Sequence, residues 1–86
     1  RGQVLKMEAT STPLAAGLAL FSMLQSSRQP LEVIFTADAA KVALQALAIM
    51  RVNLANNGRD VLLLASTIEY AADASGPKNY YLLKLT

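Results

Sequence analysis

The chain has 86 residues, room for one domain (1–86), of which 53 % are hydrophobic and only 16 % are charged. Ordinary domains carry about 25 % charged residues, so we expect part of this small surface to be covered by other copies or by a partner. The formal net charge of +2 permits nucleic-acid binding, and the lack of cysteine and histidine excludes disulfides, Cys/His or Ser-His-Asp catalysis and the common transition-metal sites.

The first half of the chain predicts a strand, a helix and a second strand. Apolar and polar residues alternate over Gln3–Ala9, which is typical of a half-buried strand. Thr12 is placed to cap a helix whose first residue is Pro13, and helical spacing of apolar residues continues to about Ser26. The run Leu31–Phe35 is apolar, β-branched and aromatic, and it predicts a buried strand.

A second helix is predicted over Ala37–Leu54, with Thr36 as its cap and Asn56-Asn57-Gly58 ending it. The middle of this helix is apolar nearly all round, and a helix that is apolar on every side is buried on every side. One sheet covers only one side, so we expect another subunit to cover the rest. The residues predicted for that oligomer interface are Leu44, Leu47, Ile49 and Met50.

Two strands joined by a hairpin complete the domain. We predict strands over Asp60–Tyr70 and Asn79–Leu85, with turn chemistry at Asp73–Pro77. The resulting fold class is α/β, an α+β sandwich of order β-α-β-α-β-β. The first three strands are expected to pair in parallel and the last to add antiparallel, giving a four-stranded mixed sheet. Both helices lie on one face, and the other face is left bare, as a second surface for assembly beyond a dimer.

The sequence carries no recognisable catalytic equipment. The six carboxylates are scattered and the four glycines are isolated, so no metal site and no phosphate-cradling loop is indicated. We therefore predict a protein that is not an enzyme, with no cofactor and no small-molecule substrate. The apolar stretch Leu14–Leu24 is shorter than the ~20 residues that a bilayer requires, so no membrane association is expected, and the cytoplasm is the default location.

Three segments resemble the stage V sporulation protein S family in order and spacing. Val4–Pro13 is similar to the family's opening strand and Ser-Ser-Pro helix start, Val42–Arg51 to its second helix, and Asn57–Val61 to its entry into the third strand. The resemblance implies an Alba-like fold, homo-oligomers, nucleic-acid binding and a role in sporulation. Family members usually have lysine where this chain has Thr10 and Gln45.

Two functions follow. The first is a homo-oligomeric, Alba-like protein that contacts the backbone of DNA or RNA with little sequence specificity. The second is a structural self-assembly module, an oligomer or filament, that has lost nucleic-acid binding. For the first function the candidate contacts are hydroxyls and amides at one helix start and five cations, namely Ser11, Thr12, Arg28, Lys41, Arg51, Arg59 and Lys78.

Overall fold

A computed structural model describes residues 3–26, 30–70 and 78–86 of the chain. The elements, in chain order, are β1 (Val4–Met7), α1 (Pro13–Ser26), β2 (Leu31–Phe35), a 3₁₀ turn (Ala37–Ala39), α2 (Ala40–Asn56), β3 (Leu63–Tyr70) and β4 (Lys78–Leu85). This order confirms the predicted β-α-β-α-β-β fold class. The predicted turn at Asp73–Pro77 lies outside the described residues.

The four strands form one mixed sheet in the order β1-β2-β4-β3. β1 pairs in parallel with β2, and β4 is antiparallel to both β2 and β3. The prediction that the first three strands pair side by side was therefore wrong, because β4 lies between β2 and β3. Nearly all of β2 is buried, so its backbone needs a paired strand on each side. β4 pairs with β2 along its whole length, from Leu31 opposite Leu85 to Phe35 opposite Tyr81. β3 is left at the edge.

Local hydrogen bonds explain why two strands are shorter than predicted. β1 ends at Met7 because the N–H of Glu8 donates to Oγ of Ser11, 3.0 Å away, and so starts a turn. Before β3, the N–H of Val61 donates to the Asp60 carboxylate at 2.8 Å rather than to a neighbouring strand. The end of α2 follows the prediction, since Gly58 takes the left-handed conformation (φ 71°).

The hydrophobic core lies between the sheet and the two helices. It is built from alternate residues of the strands and the inner face of α2, including Met7, Val33, Leu47, Met50 and Leu85. The helices pack on each other as well as on the sheet. α1 approaches α2 at Gly17, where a Cβ atom would lie 2.8 Å from the carbonyl oxygen of Ala46.

Candidate nucleic-acid interface

The topology brings both helix starts to one end of the sheet. β1 and β2 are parallel, α1 follows the end of β1, and α2 follows the end of β2. The first turns of both helices therefore lie at the same edge. This edge holds Ser11 and Thr12 just before α1, and Lys41, exposed, in the first turn of α2. The start of an α-helix presents backbone N–H groups that favour anions, as at α1, whereas before α2 the N–H groups of Ala39 and Ala40 donate to Thr36 and Ala37 within the 3₁₀ turn.

The β3–β4 hairpin extends past this edge. β2 ends at Phe35 opposite Tyr81, whereas β3 and β4 remain paired for three more residue pairs, up to Tyr70 opposite Lys78. Three residues of strand span about 10 Å, so Lys78 projects ahead of the helix starts. We call the surface formed by Ser11, Thr12, Lys41 and Lys78 the helix-start end. Four of the seven predicted nucleic-acid contacts lie at this end, with Lys78, two residues from Tyr80 on β4, pointing to the sheet face opposite the helices.

Not every polar group at the helix-start end is equally available. The hydroxyl oxygen of Ser11 accepts the N–H of Glu8, and the N–H of Ser11 donates to the carbonyl oxygen of Glu8 at 3.0 Å. Thr12 is exposed, and its carbonyl oxygen accepts the N–H of Ala16 at 2.9 Å. The hydroxyl of Thr36 donates to the carboxylate of Asp38 in the 3₁₀ turn. Lys41 has no ion pair with any of the described residues.

Two of the three predicted arginines, Arg51 and Arg59, lie at the opposite end. Ten residues of helix separate Lys41 from Arg51, a rise of about 15 Å. Arg51 forms a two-point contact with Asp60, from Nε to Oδ1 at 3.1 Å and from Nη2 to Oδ2 at 3.3 Å. Arg51 and Arg59 both line a cleft of about 390 Å³. Arg51 and Arg59 therefore come together, but away from the helix-start end; Arg28 lies outside the described residues.

The Arg51–Asp60 pair perturbs the acidity of both groups. Hydrogen bonds from Arg51 and from the N–H of Val61 lower the pKa of Asp60 below its ordinary value. The same carboxylate raises the pKa of Arg51. Asp60 thus neutralises one of the cations that the sequence offered for phosphate contact. Sequence reasoning missed this pair because the partners are nine residues apart in a helix and a loop.

The sheet face opposite the helices carries both buried and exposed side chains, among the latter Val4 and Leu64 at 45 % and 69 % exposed. Ile34 and Tyr80 point to this face and are 3 % exposed. Lys6 covers Tyr80, with its Nζ 5.4 Å from the ring centroid and 3.4 Å from Oε1 of Glu8. A hydrogen bond to Tyr80 and the charge of Glu8 raise the pKa of Lys6. Lys6, Glu8 and Tyr80 therefore form a local cluster on this side of the sheet.

The four predicted interface residues divide between core and surface. Leu47 and Met50 are 6 % and 1 % exposed and belong to the chain's own core, so a partner cannot reach them. Ile49 is partly buried and faces Gly17 of α1. Leu44 is 64 % exposed and is the one of the four that is open to a partner.

An apolar surface surrounds Leu44 and was only partly predicted. Leu44 and Val52 lie on one stripe of α2, about two helical turns apart, and both are more than half exposed. Beside them, Leu63 at the start of the edge strand β3 is exposed on the helix side of the sheet, whereas Leu64 points to the opposite side. A groove of about 380 Å³ runs between this stripe and the hairpin, with Leu83 in its floor. We call this surface the α2–β3 groove.

Another cleft lies on the projecting part of the β3–β4 hairpin, beside the helix-start end. Its volume is about 460 Å³, and its polar lining includes Thr67, Glu69, Asn79 and Tyr81. We call it the hairpin cleft. Of the residues in this hairpin, sequence reasoning placed only Lys78 near nucleic acid, and it did not identify the acidic and amide groups beside the cleft.

The described part of the chain offers no metal-binding group and no membrane helix. Three or more His, Cys, Asp or Glu side chains nowhere come close enough there to hold a metal ion. None of the helices within residues 3–26, 30–70 and 78–86 is long and apolar enough to cross a bilayer.

Comparison with known proteins defines the class of fold. The structure is similar to Alba from Thermoplasma volcanium, with a TM-score of 0.59 over 95 % of this chain and 94 % of that chain. The sequences are 10 % identical, so the likeness shows the fold alone. The predicted Alba-like fold is therefore confirmed. No protein-family model matches the chain, and no curated protein sequence matches it.

Proposed function

We propose that this protein is a homo-oligomeric, Alba-like nucleic-acid-binding protein that contacts the backbone of DNA or RNA. The observation that carries the proposal is the helix-start end, where the topology gathers Ser11, Thr12, Lys41 and Lys78. The start of α1 and two cations at one end of the sheet form a surface suited to phosphates. The protein acts by binding rather than by catalysis.

The small number of cations sets the strength of this binding. Each phosphate contact contributes about 0.9 to the slope of log affinity against log salt on duplex DNA, so Lys41 and Lys78 give about 2 per chain. Two copies side by side would give about 4. Such contacts position a protein without reading bases, so we expect weak, steeply salt-dependent binding with little sequence preference.

The test is a salt titration of binding by fluorescence anisotropy, with DNA and RNA probes. Lys41→Gln/Lys78→Gln should reduce the salt slope by about two per chain. The matched control, Arg59→Gln/Lys84→Gln, removes the same charge from outside the helix-start end and should leave the slope nearly unchanged. Equal losses in the two double variants would contradict the helix-start end as the contact surface.

The self-assembly module is the second candidate, and the α2–β3 groove favours it. An exposed apolar flank beside an unpaired edge strand is a surface that another chain covers readily. Both candidates require the oligomer, so the discriminating result is binding itself. An intact oligomer that binds neither DNA nor RNA at low salt would leave self-assembly as the function.

The biological setting rests on the sequence resemblance alone. Membership in the stage V sporulation protein S family, a role in sporulation and a cytoplasmic location stay predictions. A reporter fusion followed through growth and sporulation would test them, and diffuse signal in non-sporulating cells would argue against the sporulation role.

A further inference from the structure

We infer that the hairpin cleft binds one unpaired nucleobase, and that guanine is the base it prefers. The inference rests on the proposed nucleic-acid binding and adds base recognition to the backbone contacts. It concerns single strands, because a base inside a duplex cannot present its face and its pairing edge together.

A stacking platform is already in place. Tyr81 is 46 % exposed, and its ring is held against Phe35, with centroids 5.7 Å apart and planes inclined by 34°. Phe35 is 6 % exposed and fixed in the core, so it fixes one side of the tyrosine ring. Tyr81 lines the hairpin cleft and also borders the α2–β3 groove. Half-exposed aromatic rings on sheets are the usual platforms for unpaired bases.

Hydrogen-bonding groups stand next to this platform on the same side of the sheet. Tyr81 pairs with Thr67, and two residues further along the hairpin Asn79 pairs with Glu69. Side chains two residues apart on a strand share a face, so Asn79 and Glu69 lie beside the ring of Tyr81. Neither the Glu69 nor the Asn79 side chain has a hydrogen bond or ion pair within residues 3–26, 30–70 and 78–86.

The chemistry of this pair selects a base rather than a phosphate. Glu69 is an exposed carboxylate that repels phosphate, whereas it accepts hydrogen bonds from N–H donors on a base edge. Guanine presents two adjacent donors, N1–H and N2–H, which a carboxylate can accept together. Its O6 lies next to them and can accept from the amide N–H of Asn79. The other bases present no such pair of adjacent donors.

The position of the cleft connects it with the backbone contacts. The cleft also includes Ala37, in the 3₁₀ turn that precedes Lys41. A strand whose phosphates lie on the helix-start end can therefore turn one base into the cleft. The backbone contacts would supply most of the affinity and the cleft would supply the preference.

The experiment compares two RNA nonamers, all uridine and uridine with one central guanosine, and the two corresponding DNA strands. Anisotropy at fixed low salt should show the guanine-containing strand binding about tenfold more tightly, the order expected for one two-point base contact. Glu69→Gln should abolish this preference while leaving the all-uridine affinity unchanged or higher. Glu32→Gln, which removes the same charge from the opposite face and end of the sheet, should leave the preference intact.

The platform is tested separately. Tyr81→Leu should weaken binding of both strands by about tenfold, whereas Tyr81→Phe should bind as the wild type does. Sedimentation and thermal melting check that each variant keeps its fold and assembly. A wild-type protein without guanine preference, or a preference that survives Glu69→Gln, would overturn the inference. If the preference is absent but Lys41→Gln/Lys78→Gln still lowers affinity, the proposed function stands alone; if no strand binds at any salt, both fail.

Discussion

α1 and α2 touch at Gly17, and this contact permits a quantitative prediction. A Cβ atom at position 17 would lie 2.8 Å from the carbonyl oxygen of Ala46 and 2.8 Å from the Cβ atom of Ile49. The side chain of Ile49 can turn aside, but the carbonyl belongs to the backbone of α2. The Gly17→Ala variant therefore has to move one helix away from the other.

Two opposing effects set the magnitude for Gly17→Ala. Forcing an extra methyl group into a packed contact costs about 1–3 kcal/mol. Replacing glycine by alanine inside a helix returns about 1 kcal/mol, because alanine loses less backbone entropy on folding. The net expectation is a loss of about 0–2 kcal/mol in the free energy of unfolding, the difference between these two effects.

Urea denaturation at fixed protein concentration measures this loss, and Ala15→Gly calibrates it. Ala15 is exposed in the same helix, so its replacement reports the helix preference without the packing contact. Adding the measured Ala15→Gly loss to the Gly17→Ala loss isolates the cost of the contact. If Gly17→Ala is more stable than the wild type by as much as Ala15→Gly is less stable, the contact costs nothing, the helices do not approach as described, and the reasoning is refuted.

Three further predictions address charge, core and assembly. Because the folded pKa of Asp60 is lowered, its contribution to stability is present above the ordinary value of 3.8 and is lost as the pH falls through the folded value. Urea titrations at several pH values should show Asp60→Asn less stable than the wild type at neutral pH, with the difference vanishing in acid; a constant difference would be contrary to the Arg51 contact. Leu54→Ala, at a site 1 % exposed, should lose about 2–5 kcal/mol by the same assay, and a loss below 1 would show that the core collapses around the gap. Leu44→Asp should give a folded monomer in sedimentation, whereas Leu47→Asp should lose its circular dichroism signal; a folded Leu47→Asp monomer would mean that Leu47 faces a partner after all.

The elements could be predicted because their signals are local. Alternation in the first strand, the apolar run Leu31–Phe35 and the turn at Asn57-Gly58 each depend on neighbours in the chain. The structure returns β2 with the predicted bounds and ends α1 at Ser26, as predicted. The start of α2 moved to Ala40 because one 3₁₀ turn precedes it.

Strand order and the site could not be predicted in the same way. Nothing in the sequence of β4 distinguishes a place beside β2 from a place at the edge, since that choice depends on which strand is buried on both sides. The cations behave similarly. Lys41 and Arg51 lie on one helix, yet they are at opposite ends of the molecule. Only the fold reveals that Arg51 is hydrogen-bonded to Asp60.

The shortage of charge in the sequence is explained differently on the two sides of the sheet. On the side opposite the helices, Lys6 pairs with Glu8 and lies over the ring of Tyr80, while Val4 and Leu64 remain 45 % and 69 % exposed. On the helix side, exposed apolar area is collected in the α2–β3 groove around Leu44. Both sides of the sheet therefore carry exposed apolar side chains. A single self-complementary surface closes on itself as a symmetric pair, whereas a filament needs a second contact that does not close. We therefore expect light scattering at rising concentration to pass the mass of a dimer, and a plateau at that mass would show that only one surface assembles.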